Sequence, residues 1–212
     1  KELAASFDIE TKENRIREIE EAMEQQEFWD DVEKSQKLMK ELKNLKSQID
    51  TISKIQSDYE DIGILIDMGN EEEDESLLPE LEEEYNALIQ SVESAKLQTL
   101  LTGEYDASNA ILAFHAGAGG TEAQDWAQML YRMYTRWAER HGFSYKVMDY
   151  QEGDEAGLKS ATIMIEGENA YGYLRGEHGV HRLVRVSPFD ANARRQTSFA
   201  SVEVMPDLPE DV

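Results

Sequence analysis

Ala110-Ile111-Leu112-Ala113-Phe114-His115-Ala116-Gly117-Ala118-Gly119-Gly120-Thr121-Glu122-Ala123-Gln124-Asp125-Trp126 is the stretch on which the fold turns. Ala110 to Phe114 is a short apolar run and reads as a strand. Thr121 to Arg140 reads as a helix, with Trp126, Leu130, Met133 and Trp137 as its inward row. Between the two, Gly117, Gly119 and Gly120 give the backbone freedom to turn sharply and to approach a partner closely. Thr121 and Gln124 have capping-box spacing, which predicts a helix start at Thr121. The first amides of that helix would then be free donors, with Glu122 where the helix dipole favours a carboxylate. Such a rim can hold a phosphate or the edge of a base, or it can be simply a tight strand-to-helix turn. It is not a Walker loop, because no Lys-Ser/Thr follows the glycines.

Further along the chain the period stays close to two. Phe143, Tyr145 and Val147 alternate, as do Ala161, Ile163 and Ile165, then Val180 to Val186, then Ser198 to Val204. Several strands with one long helix predict an α+β domain built on a mixed or antiparallel sheet. Within it, Ser187-Pro188-Phe189 ends a strand, and a polar loop returns through Arg194 and Arg195 into Gln196-Thr197-Ser198-Phe199. Proline restricts such a loop, so a hydroxyl and a ring can be held outward at modest entropic cost. A serine hydroxyl donates or accepts, and therefore tolerates either an amino or a carbonyl group on a purine. Arg194 and Arg195 are candidates for RNA phosphates. The alternative is a capped hairpin with a solvated basic tip.

Before the deciding stretch the sequence is helical. Ile16, Ile19 and Met23 open a first segment; Leu38, Leu42, Leu45, Ile49, Ile52, Tyr59, Ile62 and Ile66 follow in steps of three and four with one polar slip at Gln56; Leu78, Leu81, Tyr85, Leu88, Val92 and Ala95 form a third stripe. Gly69-Asn70 is expected to stop the second helix, Glu71 to Glu75 to form a solvated turn, and Pro79 to open the third helix. The expected organisation is an antiparallel helical bundle over 1–102 and an α+β domain over 103–212, with a hinge near 101–108.

Net charge is −24, from 21 basic and 45 acidic residues. Residues 1–107 hold 11 Lys/Arg against 30 Asp/Glu, and residues 108–212 hold 10 against 15. A field of this sign repels nucleic acid, so any RNA contact must come from a local, shaped site. The absence of cysteine excludes disulfides and thiolate metal sites. No apolar run reaches the length of a membrane span or forms a signal-peptide core, and a cytoplasmic protein is expected. The four histidines, His115, His141, His178 and His181, lack metal-ligand spacing, no Gly-x-Ser-x-Gly elbow is present, and neither a cofactor nor a metal is expected. A start at Lys1 without methionine and a finish in a Pro/Asp/Glu stretch suggest a piece of a longer protein.

Ala116-Gly117-Ala118-Gly119-Gly120-Thr121-Glu122-Ala123-Gln124-Asp125-Trp126, Gly153-Asp154-Glu155-Ala156-Gly157, Ala170-Tyr171-Gly172-Tyr173-Leu174, Gly179-Val180-His181-Arg182-Leu183-Val184-Arg185 and Arg194-Arg195-Gln196-Thr197-Ser198-Phe199 together resemble bacterial class I peptide chain release factors, as does Phe28-Trp29-Asp30. Ser187-Pro188-Phe189 resembles the tripeptide of the branch that reads UGA and UAA; the sister branch, reading UAG and UAA, has Pro-x-Thr there. The resemblance implies that Gly119 and Glu122 meet the first-position uridine. It implies that Ser187, Pro188 and Phe189 contact the second base and Thr197 faces the third. Gln196 stands where many members have a histidine that stacks between the second and third bases. The implied partners are the ribosome (decoding centre, mRNA stop codon and ribosomal RNA) and, through the helical half, a GTPase release factor. The family's Gly-Gly-Gln motif for peptidyl-tRNA hydrolysis does not occur in these 212 residues. Codon recognition without catalysis is therefore expected of them. Two other readings are a ribosome rescue or regulatory relative that reads no codon, which the intact tripeptide argues against, and a helical protein-interaction module.

Overall fold

The computed structural model describes residues 5, 7–72 and 75–208, so Glu73 and Asp74 of the expected acidic turn lie outside the described residues, as do residues 209–212. The chain divides into two compact units at Leu100/Leu101.

The first unit is helical: α1 (Ile9–Met23), α2 (Val32–Glu72) and α3 (Leu78–Thr99), with a short 3-10 turn, Gln26–Trp29, carrying Phe28 and Trp29. At 41 residues, α2 is about 60 Å long. It runs through Gly69 and Asn70, correcting the expected stop. A glycine in a helix costs only about 1 kcal/mol, too little to end one that is otherwise continuous. Pro79 stands in the first turn of α3, where the missing N–H costs nothing. Phe7, Ile52 and Ala95 pack together, and Ile19, Ile62 and Leu88 are also buried. Tyr59, Ile66, Leu78 and Tyr85, expected in the seams, are exposed. Ion pairs Arg15–Glu41 and Lys46–Glu20 link α1 to α2 at 2.7 Å.

The second unit holds β1 (Ala110–Ala116), α4 (Thr121–Arg140), β2 (Ser144–Glu152), β3 (Leu158–Glu166), α5 (Ala170–Leu174), β4 (Gly179–Val186) and β5 (Arg195–Pro206). The sheet order is β2-β3-β1-β5-β4 and every pairing is antiparallel. Alternation along β1, β3 and β5 sends Leu112, Phe114, Ala161, Ile163, Ile165, Ala200, Val202 and Val204 to one face. There they meet α4 through Ala127, Leu130, Tyr134 and Ala138. Each large aliphatic or aromatic side chain buried this way contributes about 1.5–3 kcal/mol, so this layer dominates the unit's stability. The inward row of α4 is thus shifted from the expected one: Met133 is exposed and Trp126 and Trp137 are only partly covered, because the alanines let the helix lie close to the sheet. Val180, Val184 and Val186 are exposed, so the valines of β4 are on its outer face.

The expected hinge stretch is anchored from Gly103 onward. Buried Asp106 accepts from the Gly103 amide at 2.8 Å, and its own carbonyl accepts from Gly172 at 3.0 Å. Histidines act within the backbone network: Val204 N–H donates to His178 Nδ1 at 3.1 Å, and a His181 ring nitrogen lies 2.8 Å from the Glu177 carbonyl oxygen.

Candidate nucleic-acid interface

The end of β1, the start of α4 and the β4–β5 hairpin lie together at one end of the sheet. Two features bring them there. Trp126 of α4 donates its indole N–H to the His181 carbonyl at 3.0 Å, fixing helix to strand. Gly117 N–H donates to the Phe199 carbonyl at 2.8 Å, and Phe199 N–H donates back to Ala118 at 3.3 Å, pinning the glycine loop to β5.

The period of two in β4 then decides which groups face the helix. His181, Leu183 and Arg185 are the partly buried positions, alternating with exposed Arg182, Val184 and Val186. Ser187 continues the inward row. Its side chain is buried, correcting the expectation of a hydroxyl held outward. Ser187 Oγ donates to Glu122 Oε2 at 2.6 Å and accepts from the Phe189 amide at 3.1 Å. Arg185 donates through Nε to Glu122 Oε1 and through Nη2 to Asp125 Oδ2, each at 2.5 Å. Burial pushes the Glu122 carboxyl up. Hydrogen bonds from Arg185 and Ser187, with the guanidinium charge, outweigh it and hold the group below its ordinary range. Glu122 is therefore not a free carboxylate at an open helix tip. Its side chain is fully engaged, and what the tip offers a ligand is backbone.

The expected capping box is absent. Gly120 is the N-cap residue and makes no side-chain cap. Thr121 and Gln124 turn instead to the loop Gly153–Gly157: Thr121 Oγ1 donates to Glu155 at 3.3 Å, and Gln124 Oε1 accepts from the Asp154 amide at 3.1 Å. That loop is closed by the Gly153 amide on the Gly157 carbonyl at 2.9 Å. Gly157 has φ +71°, and a Cβ there would lie 2.0 Å from the Gln124 carbonyl oxygen. Gly119, with φ +133°, lies over β5, where a Cβ would be 3.1 Å from that of Ser198.

The hairpin tip is organised by Asp190. It accepts from Arg194 Nε at 2.8 Å, Gln196 Nε2 at 3.0 Å and the Asn192 amide at 2.9 Å. The Arg194 bond first, then Asn192 and Gln196, push its carboxyl down to about 2. Arg194 is ion-paired through Nε, with two-thirds of its side chain exposed, and Arg195 is exposed as well. Pro188 and Phe189 are exposed at the tip, Phe189 with 48% of its surface open. Gln196 is partly buried on the helix side, while Thr197 is exposed on the opposite face. Gly119, Glu122, Ser187, Pro188, Phe189, Gln196 and Thr197 therefore converge on one end of the unit, but from both sides of β5. Arg185, Asp125 and Asp190 carry this arrangement without having been singled out in the sequence. The signal was available for Arg185, which stands two residues before Ser187 and therefore on its face.

Residues 12–202 match the PCRF domain family. The chain belongs to this family. Peptide chain release factor 2 of Clostridium perfringens (strain SM101 / Type A) is 48% identical over 211 residues, covering 100% of this chain and 58% of the relative. That of a Nitratiruptor species is 51% identical over 205 residues, covering 97% and 55%. Among solved structures, RF2 of Thermus thermophilus aligns with a TM-score of 0.56 at 45% identity, covering 97% of this chain and 57% of that one. The chain spans a little over half the length of these relatives. The site described above lies within the matched PCRF domain.

Proposed function

We propose that the sheet unit reads the stop codons UGA and UAA in the ribosomal A site, as the recognition part of a peptide chain release factor in translation termination. The observation that carries this reading is the hydrogen bond joining Ser187, at the base of the Ser187-Pro188-Phe189 tip, to Glu122 at the tip of α4. It makes the tripeptide and the helix start one rigid surface. Preorganisation of this kind lowers the ordering cost of binding.

The chemistry can be followed base by base. With Glu122 engaged, the backbone of Gly119 and the first turn of α4 meets the first uridine. Against the second base, Ser187 can work in two ways. With its proton on Glu122, its oxygen accepts from the amino group of adenine; rotated away, the hydroxyl donates to the guanine carbonyl. Phe189 and Pro188 supply apolar contact at the exposed tip. Thr197 lies across β5 from Gln196, so the third base is read on the other face, with the flat amide of Gln196 between. The ribosome is the partner of this surface, with Arg195 available to RNA phosphate. The helical unit, which exposes Tyr59, Ile64, Ile66 and Met68, is the docking surface for a GTPase release factor.

Ser187→Ala tests the reading. Binding to ribosomes with UGA or UAA in the A site should weaken about tenfold, in the range of one lost base contact, while binding to a sense codon is unchanged. Equal loss on both would sink it.

A further inference from the structure

Ser198 is a buried polar group that the contacts described so far do not account for. Its side chain is fully buried, and its Oγ has no hydrogen-bond partner among the described residues. Its neighbours on the same face of β5 are Ala200, Val202 and Val204, a series in which alanine would pack as well. Burying a hydroxyl with no partner works against folding. The reason for its presence must lie outside the packing of the core.

Directly over Ser198 is Gly119. A Cβ at Gly119 would come 3.1 Å from Ser198 Cβ and 3.3 Å from Ala123 Cβ. The loop is clipped to β5 just before this point, by the two backbone bonds between Phe199 and Gly117-Ala118. Just after it comes Gly120, at φ +57° and without a side-chain cap. Ser198, whose hydroxyl is unpartnered, therefore lies under the short uncapped segment between the clips and the first turn of α4. Gly119 and its neighbour Gly120 bring backbone polar groups to this contact.

We infer that Ser198 is a positioning residue of the codon-reading surface. RNA seated on the helix tip shifts Gly119-Gly120 towards β5, and the backbone there closes a hydrogen bond with Ser198 Oγ. The bond exists in the occupied state only, so it adds to binding and not to folding; a ligand shifts an equilibrium only through interactions that differ between its two states. This role rests on the proposed reading of Gly119 and Glu122 as the first-base contacts.

The test is Ser198→Ala, with Ser198→Cys as the variant of nearly equal size and weaker hydrogen bonding. Thermal midpoint and affinity for ribosomes programmed with UGA, and with CGA as the first-base change, are measured on the parent protein and both variants. Ser198→Ala should keep or raise the midpoint, weaken UGA binding about five- to tenfold, and narrow the gap between UGA and CGA. Ser198→Cys should fall between Ala and the parent. A lowered midpoint for Ser198→Ala would show that the hydroxyl is partnered in the free protein and would overturn the role, as would unchanged UGA affinity. A parent that binds UGA and CGA alike would instead remove the codon-reading function itself, and that result needs no variant to be seen.

Discussion

Arg185→Ala is expected to lower folding stability by about 3 kcal/mol, because it strips both ion pairs from the centre of the site. Glu122 is nearly buried, and Arg185 is three-quarters covered; it bridges Glu122 to Asp125. Removing the guanidinium leaves two carboxylates facing each other across one turn of α4, one of them with little water to solvate it. Breaking a buried pair costs far more than the pair contributes net, since an uncompensated charge remains. The thermal midpoint should fall by more than about 10 °C. Arg185→Lys should recover part of this loss, keeping the charge but not the two-pronged geometry. Adding Glu122→Gln to Arg185→Ala should also recover stability by removing the stranded charge. If the double variant is no more stable than Arg185→Ala, the cost does not come from Glu122 and the electrostatic account of the site fails.

The second large effect belongs to Gly157. A Cβ there would lie 2.0 Å from the Gln124 carbonyl oxygen and 2.4 Å from the Asp125 amide, all backbone, at φ +71°. Neither side can give way, because Gln124 is in the first turns of α4 and Gly157 closes its own loop onto Gly153. Gly157→Ala should cost about 3 kcal/mol from strain and overpacking together. Urea unfolding should show the shifted midpoint with an unchanged slope. Gly142→Ala is the control: its φ of +71° equals that of Gly157, but nothing lies within 4 Å of the added carbon. It should cost only about 1–2 kcal/mol. Equal losses at the two positions would contradict the close approach of this loop to α4.

Much of the fold was legible because its signals are local. The apolar run at Ala110 to Phe114 and the helix from Thr121 to Arg140 could be read directly, as could the alternation through Ala161, Ile163 and Ile165. Errors came where tertiary packing overrides local preference. Gly69-Asn70 reads as a stop, yet α2 continues through it. Val180 to Val186 reads as an alternating strand, but the alternation does not say which row faces inward; β4 turns His181, Leu183 and Arg185 to the helix and its valines to solvent. The candidate site was legible as residue types, and the structure brings those residues to one end of the sheet. Their partners were not legible, because Ser187–Glu122 spans 65 residues and Arg185–Asp125 spans 60. Spacing alone assigned Thr121 and Gln124 to a cap, whereas both reach 30 or more residues away to Asp154 and Glu155.

The measurement that bears most directly on the whole account is equilibrium binding to ribosomes carrying UGA, UAA, UAG or a sense codon in the A site, compared in one buffer of fixed salt. Tighter binding to UGA and UAA than to UAG and the sense codon is the predicted result, and it would place codon reading within these 212 residues. Binding that is the same for all four codons would contradict it.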